Sequence, residues 1–172
     1  YFKTRPEQDL NGDGIIQYVL LRGEPGHQDA ELRSAAAQQA LSLGGLPAQK
    51  LAEESANWEK ALGQERMAML LNSLGNTIEC VLSNNDDMAL GAIDALKAAG
   101  YFSGGLSIPV IGLDATAAAL EMVAQGALYG TVIAATDLDD FRFHGGFQPG
   151  AVRKSTTTQR HLGAAGVGQR LL

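Results

Sequence analysis

Residues 9–17 read Asp-Leu-Asn-Gly-Asp-Gly-Ile-Ile-Gln. Oxygen-bearing side chains stand at loop positions 1, 3, 5 and 9, glycine at 6, and Ile15 at 7 offers a backbone carbonyl, the spacing of most of an EF-hand calcium loop. Alternate residues of such a tight loop point inward at a hard cation that wants several oxygens. The bidentate glutamate expected at position 12 is replaced by Leu20, and a β-branched stretch follows where a helix would exit. A helix-loop-helix sensor is disfavoured, and a carboxylate from elsewhere in the chain must complete the shell. An acidic, Asx-rich turn before a strand is the plainer alternative.

Further along, polar side chains gather just after apolar stretches. His27, Asp29 and Arg33 follow the first, Asn84, Asn85 and Asp86 a later one, and Asp114 the next. Each has an ordinary reading. Asp29 and Arg33 make an i,i+4 ion pair on one helical face, and the Asn and Asp residues are good helix caps. Trp58, the only tryptophan, opens a helical stretch and reads equally as a partly buried core aromatic. Together they put His, Asp, Arg, Asn and one indole along a single rim. Planar Asp, Asn and Arg groups suit paired hydrogen bonds to vicinal hydroxyls, and an aromatic face covers the C–H patch of a pyranose. The mixture suits a sugar better than a reaction. Ser83 has no recognisable histidine base, and neither a two-histidine metal motif nor a GxGxxG or Walker loop occurs, so no catalytic residue is assigned.

The elements that must hold this rim follow from apolar periodicity. Ile15–Arg22 reads as a strand and Gly23–Asp29 as a loop. Ala30–Leu43 reads as a helix with Ala36, Ala37, Ala40 and Leu41 on its stripe. A weak extended stretch lies at Gln49–Glu53, then a helix over Trp58–Leu74 with Met67, Leu70, Leu71 and Leu74 aligned. Ile78–Ser83 is a strand, followed by a helix carrying Ala89, Ala92, Ile93 and Leu96 and ended by Gly100. Ile108–Leu113, a short helix at Thr116–Gln125 and a strand at Leu128–Ala134 complete the series. Near-continuous apolar strands alternating with helices predict an α/β fold, a parallel sheet with helices on both faces. Ligands of such sheets bind beyond the carboxyl ends of the strands.

Composition narrows the class. With 172 residues, 45% hydrophobic and 19% charged, the chain is neither a disordered polymer nor a membrane protein. The apolar run Ala117–Ala135 is broken by Glu121, Gln125, Gly126 and Gly130, so it predicts a helix and a strand rather than a span. A net charge of −6 argues against a nucleic-acid binder. The lone Cys80 excludes an internal disulfide framework. The charge is uneven: residues 1–140 hold 8 basic and all 19 acidic residues, a net −11, whereas residues 141–172 hold five basic residues and no acid. From Phe141 the periodicity stops in a glycine-rich tail to which no structure is assigned.

The segments DLNGDGIIQYVLLRGEPGHQDAELR, NWEKA, IECVLSNNDDMALGAIDALKAAG, IPVIGLDA and ALYGTV closely resemble the galactose/glucose-binding proteins of bacterial periplasms. These are type I periplasmic binding proteins that serve ABC sugar importers and chemotaxis. The resemblance runs from Asp9 to about Ile133 and covers mainly the second of two lobes. It implies calcium ligands at Asp9, Asn11, Asp13, Ile15 (backbone oxygen), Gln17 and the distal Glu79. It implies sugar ligands at His27, Asp29, Arg33, Asn85 and Asp114, with Trp58 as the stacking ring, and leaves Asn84 and Asp86 as caps.

The resemblance further implies a periplasmic protein, monomeric when complete. Its partners would be a monosaccharide, the importer's membrane subunits and a chemoreceptor, with no nucleic acid and no membrane insertion. On this reading residues 1–133 are the second lobe, incomplete at its start and so left with an unpaired sheet edge. Residues 134–140 are a disrupted hinge crossing, with Ala134 where the family has a sugar-binding Asn, and 141–172 are a non-family tail consistent with a shifted reading frame. Calcium binding is expected from this lobe alone, and sugar binding weakly or not at all. Within the fold the rival is the effector domain of a lactose-repressor-type regulator, which would lack the calcium loop. A sugar-processing enzyme would need an acid/base pair that is missing.

Overall fold

The structure, a computed structural model, describes residues 1–133 and the backbone of 152–154. Strands β1 (Ile16–Arg22), β2 (Ala48–Ser55), β3 (Cys80–Ser83), β4 (Val110–Leu113), β5 (Gly130–Ile133) and β6 (Val152–Lys154) form one sheet in the order β2-β1-β3-β4-β5-β6. Every neighbouring pair is parallel. Helices α1 (Gln28–Leu43), α2 (Lys60–Leu74), α3 (Asp86–Ala98) and α4 (Ala117–Ala124) connect the first five strands. The expected α/β architecture is the observed one. The chain reverses direction across the sheet between β1 and β3, which makes their carboxyl ends the switch-point crevice where ligands of such folds sit.

The pattern of β1 explains its central place. Ile16, Tyr18 and Leu20 pack with Cys80 and Leu82 on one face, and Val19 and Leu21 join the larger core on the other. A strand buried on both faces needs an unbroken apolar run. Burial pushes the Cys80 thiol up to about 12, so it packs as an inert small hydrophobe.

α3 buries Ala89, Ala92, Ile93 and Leu96, and α2 buries Met67 and Leu70 with Leu71 and Leu74 packed behind them. The α1 stripe is narrower than its periodicity suggests: Ala37 and Leu41 reach the core, whereas Ala36 and Ala40 are exposed. β2 extends beyond the expected five residues to eight, because pairing with β1 over its whole length carries residues with weak strand preference of their own. α2 begins at Lys60, so Trp58 lies ahead of the helix rather than opening it.

Part of the tail departs from the expectation of no structure. Val152–Lys154 pairs with β5 in the register Thr131↔Val152, Val132↔Arg153 and Ile133↔Lys154. Three residues are too few to carry a period, and what defines this strand is the open edge of β5. Ala134, the hinge crossing expected at 134–140 and the rest of the tail at 141–172 lie outside the described residues. Among the described residues no helix is long and apolar enough to cross a membrane.

Two glycines let α2 and α3 meet backbone to backbone. A β-carbon at Gly91 would overlap the Lys60 carbonyl, and one at Gly63 would lie 2.6 Å from the Met88 carbonyl oxygen. Neither neighbour is a flexible side-chain end, so the helices themselves must part. Gly91→Ala is expected to lower unfolding free energy by about 1–3 kcal/mol in urea melts, as overpacked cores do; an unchanged midpoint would refute the close contact.

Candidate functional site

Four loops leave the carboxyl ends of β1 to β4, and each carries candidate residues. After β1, Gly23 is followed by His27, whose Nδ1 accepts from the Asp29 amide at 3.2 Å and caps α1. The histidine, not Asp29, is thus the cap. One turn on, the Arg33 guanidinium donates to the Asp114 carboxylate at 3.0 Å and to the Asn84 carbonyl at 2.9 Å. Asp29 lies 3.8 Å from it. The i,i+4 pair exists, but the tighter partner is Asp114, which sequence spacing could not reveal.

After β2 the chain turns through Asn57 and Trp58, at φ 48° and 69°. Left-handed backbone is uncommon for bulky residues, so something must hold it. Asn85 does, by donating from Nδ2 to the Trp58 carbonyl at 3.1 Å. Gly23 makes room, since a β-carbon there would overlap the indole. The Trp58 ring lies edge-to-face with His27 at 5.3 Å and beneath the Arg33 guanidinium at 5.5 Å. The guanidinium over the indole is a cation–π contact that joins α1 to the β2 loop.

After β3, Asn85 is the N-cap of α3, its Oδ1 accepting from the Met88 amide at 3.0 Å. Asn84 and Asp86 are not caps. The buried Asn84 Oδ1 accepts from the Gly23 amide at 3.1 Å and from the Ser34 hydroxyl at 3.2 Å. Asp86 reaches Thr116 and Thr131. Single-residue capping rules hid these roles: an Asn-Asn-Asp run before a helix satisfies them at every position. The β4 loop repeats the lesson, because Thr116, not Asp114, caps α4.

The structure therefore joins all six strand-end candidates, His27, Asp29, Arg33, Trp58, Asn85 and Asp114, in one contiguous network. Asp114 sits at φ 119° and is held above the usual carboxylate range, chiefly by burial, with Asp86 and Asp87 adding to the effect and Arg33 opposing it. Its side chain is still 36% exposed, so solvent screens much of that effect.

The second candidate set lies at the other end of β1. Glu79 is 1% exposed, and its carboxylate accepts from the Leu10 amide at 2.5 Å and the Gln17 amide at 3.0 Å. It thereby ties the 9–17 loop to the sheet beside β3. Asp9 accepts from the Gly12 and Gly14 amides, Asn11 from Asp13, and Asp13 from Ile15. Gln17 donates to Asp13 at 2.9 Å, while its buried Oε1 has no partner among the described residues. Among the described residues no three His, Cys, Asp or Glu side chains converge as a ready metal cluster. Even so, the donor set, with an orphaned amide oxygen and a buried carboxylate without a paired cation, fits a hard cation in chemistry. A separate hollow of about 390 Å³, lined by Lys97, Phe102, Leu106 and Ser107 among others, contains none of these candidates.

Residues 7–137 match the family described as periplasmic binding protein domain. The chain belongs to that family. This periplasmic binding protein domain is 42% identical over 133 residues to the D-galactose/methyl-galactoside binding periplasmic protein MglB of Haemophilus influenzae, covering 77% of this chain and 39% of that one. It is 35% identical to a xylitol-binding protein of Mycolicibacterium smegmatis, covering 71% and 33%. An ABC transporter solute binding protein from Bacillus halodurans, solved with bound myo-inositol, superposes with a TM-score of 0.59 at 34% identity, covering 73% and 41%. The chain thus spans about two fifths or less of the length of these relatives. They are named for binding a solute, not for a reaction.

The raised Asp114 pKa has a definite sign. The folded state holds this proton more tightly than the unfolded state, so the group's contribution to stability is present below the ordinary value of 3.8 and is lost as pH rises through the raised one. Asp114→Asn should therefore gain stability relative to the parent over that rise, and match it more closely at lower pH. Urea melts between about pH 3 and 7 test this; a parent that gains on the variant as pH rises contradicts it.

Proposed function

We propose that this chain supplies one wall of the sugar cleft of an ABC importer's solute-binding protein working in the periplasm. The solute is a hexose of the D-galactose/D-glucose kind. The observation that carries this reading is Arg33 held between Asp114 and the Asn84 carbonyl beside the Trp58 ring. A guanidinium and a carboxylate fixed at 3.0 Å offer donors and acceptors to neighbouring hydroxyls. An indole beside them covers the apolar face of a pyranose. The likeness to a galactoside-binding relative supports the hexose, although relatives named for other polyols share the fold. A repressor-type effector domain has no comparable support.

In a two-walled cleft the ligand's contacts with both walls would drive closure, and the closed form would be what membrane subunits and a chemoreceptor recognise. With one wall the expected affinity is in the millimolar range, about −4 kcal/mol. Titrating D-galactose and D-glucose while following Trp58 fluorescence tests this. A millimolar response lost in Arg33→Ala is expected. A response unchanged by that substitution, or none at saturating sugar, overturns the hexose wall, and a micromolar one overturns the need for a second wall.

Calcium belongs to the same proposal. Asp9, Asn11, Asp13, the Ile15 carbonyl, Gln17 and Glu79 would hold the ion, which would lock the loop to the sheet. Each Asp9 and Asp13 oxygen that accepts from a loop amide keeps a second lone pair to offer a cation. Terbium luminescence that Ca²⁺ displaces, weakened at least about tenfold by Glu79→Gln, is the expected result. No signal at millimolar metal sinks it.

A further inference from the structure

Asp86 is wholly buried, and no cationic side chain pairs with it among the described ion pairs. A buried carboxylate needs full hydrogen bonding or a counter-charge, so its contacts show what it is for. Oδ1 accepts from the Thr131 hydroxyl at 2.6 Å, a short bond of the kind made to a charged acceptor. Oδ2 accepts from the Thr116 amide at 2.8 Å. Gly112 keeps the space open, since a β-carbon there would overlap Oδ1.

The Thr131 contact is a relay. A hydroxyl has one proton to give, and Thr131 gives it to Asp86, which leaves its lone pairs to accept. One accepts from the Ala115 amide at 3.0 Å. Two successive amides, 115 and 116, are thus drawn toward one buried carboxylate, one directly and one through the hydroxyl. They follow Asp114 at φ 119°, and Ala115 itself sits at φ 57°. Non-glycine residues keep such backbone only when the surroundings over-determine it. With the loop held there, the Asp114 carboxylate faces Arg33 at 3.0 Å.

We propose that Asp86 and Thr131 are positioning residues that pin the Asp114–Thr116 loop and so aim the Asp114 carboxylate at Arg33 and the ligand. Both residues are buried, at 0% and 2% exposure, and so are closed to a ligand in the cleft. The proposal rests on the reading of Asp114 as a sugar contact, but the loop geometry can be measured without sugar. The charged groups bearing on Asp114 are Arg33 from α1 and Asp86 and Asp87 from α3, with Asp29 facing Arg33 from the same helix.

The test compares the full chain with Thr131→Val, which keeps the shape and removes the hydroxyl, Thr131→Ser, which restores it, and Asp86→Ala, which removes both acceptors. Amide hydrogen exchange and the ¹³C carboxyl titration of Asp114 are followed without ligand. Thr131→Val should speed exchange at Ala115 about tenfold more than at Val81 in the core, a local rather than global opening. It should also move the Asp114 titration down toward the ordinary carboxylate value as the loop slackens into water. Thr131→Ser should restore both, and Asp86→Ala should free the Thr116 amide. If Thr131→Val does not fold, Asp86→Ala and Thr131→Ser carry the comparison.

Parent-like exchange and titration in Thr131→Val, parent-like Thr116 exchange in Asp86→Ala, or a serine variant that behaves like the valine one, would overturn the proposal. So would equal acceleration at all amides, which marks a merely stabilising contact. D-galactose titration then separates the two claims. Local changes in a protein whose parent binds no sugar remove the hexose reading and support the loop-pinning. Sugar binding that survives Thr131→Val undiminished overturns the positioning role.

Discussion

Three consecutive side chains at the end of β3 hold the rest of the site in place. A parallel sheet fixes its strands by backbone hydrogen bonds, but the loops beyond the carboxyl ends have no ladder between them. Here side chains do that work. Asn84 binds the β1 loop through Gly23 and Ser34, Asn85 binds the β2 loop through the Trp58 carbonyl, and Asp86 binds the β4 loop through Thr116 and Thr131. Because β3 lies between β1 and β4, this junction is the one place from which all three can be reached. The polar groups are buried and largely satisfied, and such networks specify a single arrangement more strongly than apolar packing does.

This arrangement has a consequence for recognition. Trp58, Arg33 and Asp114 are all held by backbone or side-chain bonds before any ligand arrives, two of them on left-handed backbone. Ordering a flexible wall on binding would cost free energy for every immobilised side chain, and a fixed wall avoids most of that cost. The strain at Trp58 and Asp114 is the counterpart of this preorganisation. The calcium-type loop acts at the opposite end of β1, where the buried Glu79 joins Leu10 and Gln17. The two sites lie at opposite ends of the paired strands β1 and β3, with Glu79 just before β3 and Asn84–Asp86 just after it.

Much of the fold was legible because strong patterns and strong burial coincide. The run from Ile16 to Leu21 and the α3 stripe at Ala89, Ala92, Ile93 and Leu96 could be nothing else once read for period. β2 was faint, because Ala48–Ser55 owes its strand form to pairing with β1. The candidate site was legible as residue types at strand ends, and the resemblance to a family sorted them. What stayed hidden was the supporting layer. Asn84 and Asp86 read as caps because capping is decided by neighbours in sequence. Their true partners are Ser34, Thr116 and Thr131, dozens of positions away. Thr131 gave no sign, as a threonine in a β-rich run is what strand preference alone would supply.

The central claim is that this junction presents a prearranged wall to a hexose, and a chemical-shift map of the chain at saturating D-galactose tests it most directly. The account predicts the largest shifts at the Trp58 indole N–H, the Arg33 side chain and the amides of Asp114 and Ala115. Shifts centred instead on the hollow lined by Phe102, Leu106 and Ser107, or no shifts at all, would contradict it.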